Sequence, residues 1–232
     1  MKRACGSCGR GYFGYIAVSL LAIFPIMTSS NPTWADDTPR TIKLIAFGDS
    51  LTAGYMLKSN QSFAAQLEMA LQAKGHKVKV VNAGVSGDTS AAGLTRLDWT
   101  LSEGCDAVIL ELGANDALRG IDPNETRANL DKILAGIKAK GADTLIAGMK
   151  APGNWGDDYA KRFDGIFPAL ADKFGAQLYP FFLEGIALDP ALVLSDGLHP
   201  TSAGVAEIVR RILPQAEALV ARAATRLAAV KN

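Results

Sequence analysis

Histidine is almost absent from this chain. Only His76 and His199 occur in 232 residues. Histidine is the commonest metal ligand and the usual proton carrier near neutral pH, so any site that needs one has two candidates. Clusters of Asp and Glu at ligand spacing are not evident either, and no metal centre is expected. Cysteine is nearly as scarce. Cys5 and Cys8 form a C-x-x-C close to the amino terminus, and Cys105 stands alone. A lone cysteine cannot close an intramolecular disulfide, and Cys105 reads as a small buried residue. An excess of one charge sign is missing too, with 24 Lys and Arg against 23 Asp and Glu. That balance leaves no electrostatic footprint for nucleic acid or for an anionic membrane. The G-x-G-x-x-G and P-loop spacings are absent, which argues against a nucleotide or flavin cradle. No repeat, low-complexity tract or internal linker interrupts the chain.

What is present begins with a leader. Lys2, Arg3 and Arg10 are basic, and no acidic residue precedes Asp36. A mostly apolar stretch from Tyr15 to Met27 follows, and then the small-residue end Thr33-Trp34-Ala35. This order is that of a secretory signal peptide. The apolar stretch is short for a membrane span and Pro25 interrupts it. The expected organisation is a signal peptide over 1–35, cut after Ala35, and one domain over 36–232. The cut discards Cys5 and Cys8 and leaves 21 Lys and Arg against 23 Asp and Glu. The expected location is periplasmic or secreted.

Beyond the leader, short β-rich runs alternate with amphipathic helical ones. Residues 42–47, 78–82, 107–112, 144–147 and 176–179 read as strands. Three are nearly continuous apolar runs, as in strands covered on both faces of a parallel sheet. Residues 61–74, 123–140, 158–174 and 202–229 read as helices. Asp122, Pro123 and Glu125 look like a capping box with proline at the first position. Pro214 is expected to kink or split the last helix. The alternation predicts an α/β domain of three layers, α/β/α, with five parallel strands in the flavodoxin-like order 2-1-3-4-5. Ligands of such folds sit beyond the carboxyl ends of the strands. That rule puts Ser50, residues 83–90 and residues 113–120 on one rim.

"IAFGDSLTAGY" (45–55) sets a serine just past the first strand, among glycines. A serine hydroxyl needs a base to become a nucleophile. His76 follows Gly75 at the opposite rim and reads as a solvated turn residue. His199 lies in "LSDGLHPT" (194–201), ahead of the last helix, and is the remaining candidate. A catalytic histidine also needs a carboxylate on its other ring nitrogen. Asp196 lies three residues away across a turn, although Asp-x-x-His is also a metal-ligand pairing. Acyl transfer further requires donors for a developing oxyanion. The Ser50 N–H, the Gly87 N–H in "NAGVSGDTS" and the Asn115 amide in "LGANDALRG" each follow a different strand.

These segments resemble the blocks of the SGNH (GDSL) hydrolases. "FGDSLTAGY" is similar to the nucleophile block, "GVSGDTS" to the glycine block, "GANDALRG" to the asparagine block and "DGLHP" to the Asp-x-x-His block. Their order and spacing match over residues 41–213. "APGNWGDDY" and "PFFLEGIALDP" further resemble the thioesterase I, lysophospholipase and arylesterase branch. The resemblance implies Ser50 as nucleophile, with Asp196 and His199 completing a triad. It implies Ser50 N–H, Gly87 N–H and Asn115 as the oxyanion hole, with no metal and no organic cofactor. The implied activity is hydrolysis of aryl esters, acyl thioesters and lysophospholipids through an acyl-enzyme. A carbohydrate O-acetylesterase and a non-catalytic acyl- or carbohydrate-binding protein are the alternatives on the same scaffold. The expected partner is a small acyl ester or thioester. No nucleic acid, no stable membrane anchor after cleavage and a monomeric state are expected. Acyl length is expected to be set by loops 116–121, 149–157 and 181–188.

Overall fold

The computed structural model describes residues 40–230, together with Gly11 and Gly14. The leader, its cleavage site and the boundary at 36 lie outside the described residues. Five parallel strands form one sheet in the order β2-β1-β3-β4-β5. They are β1 (Ile42–Gly48), β2 (Val78–Gly84), β3 (Ala107–Glu111), β4 (Asp143–Ala147) and β5 (Gln177–Tyr179). The β3 strand is buried along its whole length and β1 almost so. The edge strand β2 alternates between buried and exposed positions over its first half, as strands covered on one side do.

Helices follow each strand. They are α1 (Ser50–Ala53), α2 (Phe63–Ala73), α3 (Ser90–Thr95), α4 (Leu97–Thr100), α5 (Ala114–Leu118), α6 (Pro123–Ala139), α7 (Asp157–Asp164), α8 (Ile166–Phe174) and α9 (Ser202–Val230). The α2 and α9 helices pack on each other and on the sheet, while α6 packs against α3 and α8. Right-handed crossovers require this division, because the chain steps one way from β1 to β2 and the other way from β2 onward.

The structure departs from the sequence reading in three elements. Residues 158–174 form two helices, α7 and α8, that break at Gly165. Pro168 cannot donate to the Asp164 carbonyl and its ring crowds that turn, while glycine is a poor helix former. Of the two outcomes expected at Pro214, a kink or a split, the split does not occur, and α9 runs through it as one helix. Its buried stripe, including Ile208, Ile212, Ala216 and Leu219, gains more from packing than one lost hydrogen bond costs. The capping box at α6 does not form. Asp122 accepts from the Asn124 N–H and also pairs with Arg162, and the Glu125 side chain makes no return bond. Cys105 is half-buried against the core, and burial pushes its thiol pKa up.

One close approach sets where the first loop can lie. A Cβ at Gly84 would stand 2.2 Å from the Ala53 nitrogen and 2.7 Å from its Cα. Both are backbone atoms of the helix that begins at Ser50, so relief would require moving that helix. Gly84→Ala is therefore expected to cost about 1–3 kcal/mol in urea unfolding. Gly153→Ala, where a Cβ meets no atom within 4 Å, is expected to be near neutral.

Candidate active site

The residues singled out in sequence converge at the carboxyl end of the sheet. Asp49 caps α1 by accepting from the Leu51 N–H, which turns the chain sharply after β1 and sets Ser50 at the helix start. The loop after β5 supplies the other half. Leu194 N–H donates to the His199 carbonyl at 2.7 Å, closing a tight loop with Gly197 at φ +70°. Within it one oxygen of Asp196 accepts from the Leu198 and His199 N–H groups at 2.9 and 3.0 Å. The other oxygen faces His199 Nδ1 at 2.7 Å. These contacts, led by the His199 N–H, hold the Asp196 pKa down at about 2. The carboxylate is ionised throughout the physiological range. With Nδ1–H donating to it, Nε2 is an acceptor, and Nε2 lies 2.9 Å from Ser50 Oγ. The hydroxyl, the ring and the carboxylate thus form one unbroken chain across 149 residues of sequence.

Of the expected oxyanion donors, Ser50 and Asn115 line the cavity that also holds His199, and Gly87 lies in the loop after β2. The Ser50 and Gly87 N–H groups have no hydrogen-bond partner among the described residues. Gly87 sits at φ +86°, a conformation that favours glycine. Asn115 lies within α5, facing the cavity that also holds Ser50 and His199. Its amide hydrogens are already engaged. Nδ2 donates to Asp49 Oδ2 and to the Asp88 carbonyl, each at 3.0 Å.

Several residues at the site carried no signal in sequence beyond their motif. The Tyr55 ring packs on the His199 imidazole, with centroids 4.4 Å apart. Arg96 bridges Asp88 and the Gly48 carbonyl, at 2.6 and 2.9 Å, while lying over Phe47. Asp116 is fully buried and accepts from the Ser90 N–H and hydroxyl and from the Thr126 hydroxyl. It joins the loops after β2 and β3. His76 is at the opposite rim as expected, but it is partly buried and its Nε2 lies 3.3 Å from a Glu217 oxygen. It is an inter-element contact rather than a solvated turn residue.

Beside Ser50 opens a cavity of about 370 Å³. Leu118, Met149, Pro152, Phe181, Leu183 and Leu198 give it a mostly apolar wall. Among the described residues no group of three or more His, Cys, Asp or Glu side chains is gathered as a metal site. No described helix is long and apolar enough to cross a membrane.

Residues 46–206 match the model of the GDSL-like lipase/acylhydrolase family. The chain belongs to this family. It is 42% identical over 159 residues to an arylesterase of Vibrio mimicus, an alignment covering 68% of this chain and 80% of the relative. It is 41% identical over 158 residues to thioesterase 1/protease 1/lysophospholipase L1 of Escherichia coli K12, covering 68% and 74%. Among solved structures it is similar to AlinE4, an SGNH-hydrolase family esterase, with a TM-score of 0.66 and 46% identity over 78% of this chain and 97% of that one. The GDSL-like fold accounts for the strand order found here, and the family's ester chemistry agrees with a serine hydroxyl held against a histidine.

Proposed function

We propose that this GDSL-family hydrolase cleaves acyl esters and thioesters through Ser50, His199 and Asp196. The observation that carries the reading is the chain of contacts from Asp196 through His199 to Ser50, opening on an apolar cavity. His199 Nε2 takes the Ser50 proton as Oγ attacks the acyl carbonyl. Asp196 holds the ring in the reactive tautomer and stabilises the imidazolium. Negative charge on the carbonyl oxygen is met by the Ser50 and Gly87 N–H groups and by Asn115. His199 returns the proton to the departing alcohol or thiol. Water, activated by the same imidazole, then releases the acid from the acyl-enzyme.

The cavity favours a hydrocarbon acyl chain over an acetylated sugar. Its wall offers few hydrogen-bond partners for hydroxyl groups, whereas each buried methylene gains about 0.8 kcal/mol. The wall is built largely from the loops after β3, β4 and β5, which supports their role in setting acyl length.

The decisive assay combines p-nitrophenyl esters and acyl-CoA thioesters with a serine-directed phosphonate. Hydrolysis should stop on labelling, and the adduct should map to Ser50. An adduct on Ser86 or Ser195 would overturn the assignment. The leader-like segment 1–35 supports export to the periplasm or beyond. N-terminal sequencing of the exported protein is expected to begin at Asp36, and an intact leader on the exported chain would refute the cut.

A further inference from the structure

The base of this site sits on an exposed loop. Residues 195–198 are exposed, and the Asp196 and His199 side chains are 37% and 19% exposed. Asp196 grips the imidazole at Nδ1 alone. Held at one nitrogen, a ring on such a loop can swing away from Ser50. A second contact restrains it. The Tyr55 ring lies against the imidazole, with centroids 4.4 Å apart and planes inclined by 37°.

The backbone is shaped to put that ring there. The Ser50 carbonyl accepts from the Gly54 and Tyr55 N–H groups, each at 3.1 Å, so Tyr55 is anchored to the nucleophile itself. Gly54 ends α1 at φ +84°. The Leu57 N–H then closes a turn onto the Gly54 carbonyl at 3.0 Å. Met56 holds the third place of that turn at φ +60°, where glycine is favoured and a residue with a side chain is strained. Strain of this kind persists where the surrounding structure enforces it, and it clusters at functional sites. Tyr55 stays 43% exposed, so burial of its ring in the core does not explain the arrangement. One short segment, Ser50 to Tyr55, thus offers His199 a hydroxyl at Nε2 and an aromatic ring beside it.

An aromatic face attracts a cation more than a neutral group, within about 6 Å of the ring centroid. The imidazole must be neutral to accept the Ser50 proton and is a cation once it has done so. The contact therefore strengthens as the proton moves, and it lowers the barrier rather than aiding substrate binding.

We propose that Tyr55 is a positioning residue for the base: its ring holds the His199 imidazole toward Ser50 Oγ and favours the imidazolium that forms as the serine proton is taken. This rests on the reading of Ser50 and His199 given above.

The test compares variants that keep the ring with variants that remove it. Tyr55→Leu and Tyr55→Gln are expected to lose about 5–30-fold in kcat, with KM changed less than about twofold. Tyr55→Phe keeps the aromatic face and should hold kcat within about twofold. Formation and breakdown of the acyl-enzyme both pass through the imidazole. The loss should therefore be alike on p-nitrophenyl butyrate and on butyryl-CoA, which share an acyl group and differ in leaving group. Urea unfolding should show each variant folded, since the side chain is half-exposed.

Full kcat in folded Tyr55→Leu or Tyr55→Gln would overturn the proposal. A Tyr55→Phe as damaged as Tyr55→Leu would overturn it too, because the hydroxyl and not the ring would then be at work. So would a loss confined to the aryl ester or to KM, which would place the ring against the leaving group instead. Failure of the underlying reading looks different: there, Ser50→Ala or His199→Ala keeps its activity, or the phosphonate labels another residue.

Discussion

Ser50→Ala is expected to lose about 10⁶ in kcat and all phosphonate labelling, with no change in fold. In serine-histidine-aspartate sites, loss of the nucleophile removes almost all catalysis beyond binding and oxyanion stabilisation. The magnitude follows from what Ser50 does. It forms and breaks the covalent acyl bond, so no neighbour can substitute for it. The side chain is small and buried, and its hydroxyl meets His199 Nε2. Removing one oxygen there leaves the Asp49 cap of α1 intact, so urea unfolding should hold close to the parent value. Steady-state kinetics on a p-nitrophenyl ester and intact-protein mass after phosphonate treatment check both halves. More than about 1% residual kcat in a folded variant would refute the assignment.

His199→Ala is expected to be nearly as damaging, again on the order of 10⁶. Without the imidazole no described group lies within hydrogen-bond reach of Ser50 Oγ to take its proton. Asp196→Asn should fall short of that, about 10⁴, because the base remains while its tautomer and its counter-charge are lost. The comparison that gives these numbers meaning is His76→Ala. His76 sits at the amino end of β2 with Glu217, at the opposite end of the sheet from Ser50. Its removal should leave kcat within about twofold, with at most a small loss of stability, since a single hydrogen bond contributes about 0.5–1.5 kcal/mol. Should His76→Ala abolish activity in a folded protein while His199→Ala does not, the base has been misassigned.

Much of this architecture could be read from consecutive residues. Three of the five strands, β1, β3 and β4, were legible because they are mostly apolar runs, a local property of five to seven positions. The helix at 123–139 was legible because Asp122 and Pro123 start it and its buried residues recur at helical spacing. What failed locally also has a local cause. The break at Gly165 and the intact helix at Pro214 both oppose propensity to packing. Packing lost at residue 165, where Pro168 removes the bond to Asp164, and won at 214, where a long buried stripe spans the proline.

The sequence by itself determined the order of elements, the serine at the head of a turn, and the single histidine placed to serve it. These depend on periodicity, turn chemistry and the scarcity of one residue type, all of which a linear chain displays. Tertiary structure alone decided which groups those residues meet. Asp49 reaches Asn115 across 66 positions, Arg96 ties Asp88 to Gly48, and Tyr55 covers His199. Such pairings depend on strand register and crossover geometry, which bring together the ends of β1, β2, β3 and β5. The engagement of both Asn115 hydrogens is of this kind. Spacing can nominate an amide as a donor, but only the acceptors folded around it decide which of its hydrogens is free to meet a substrate.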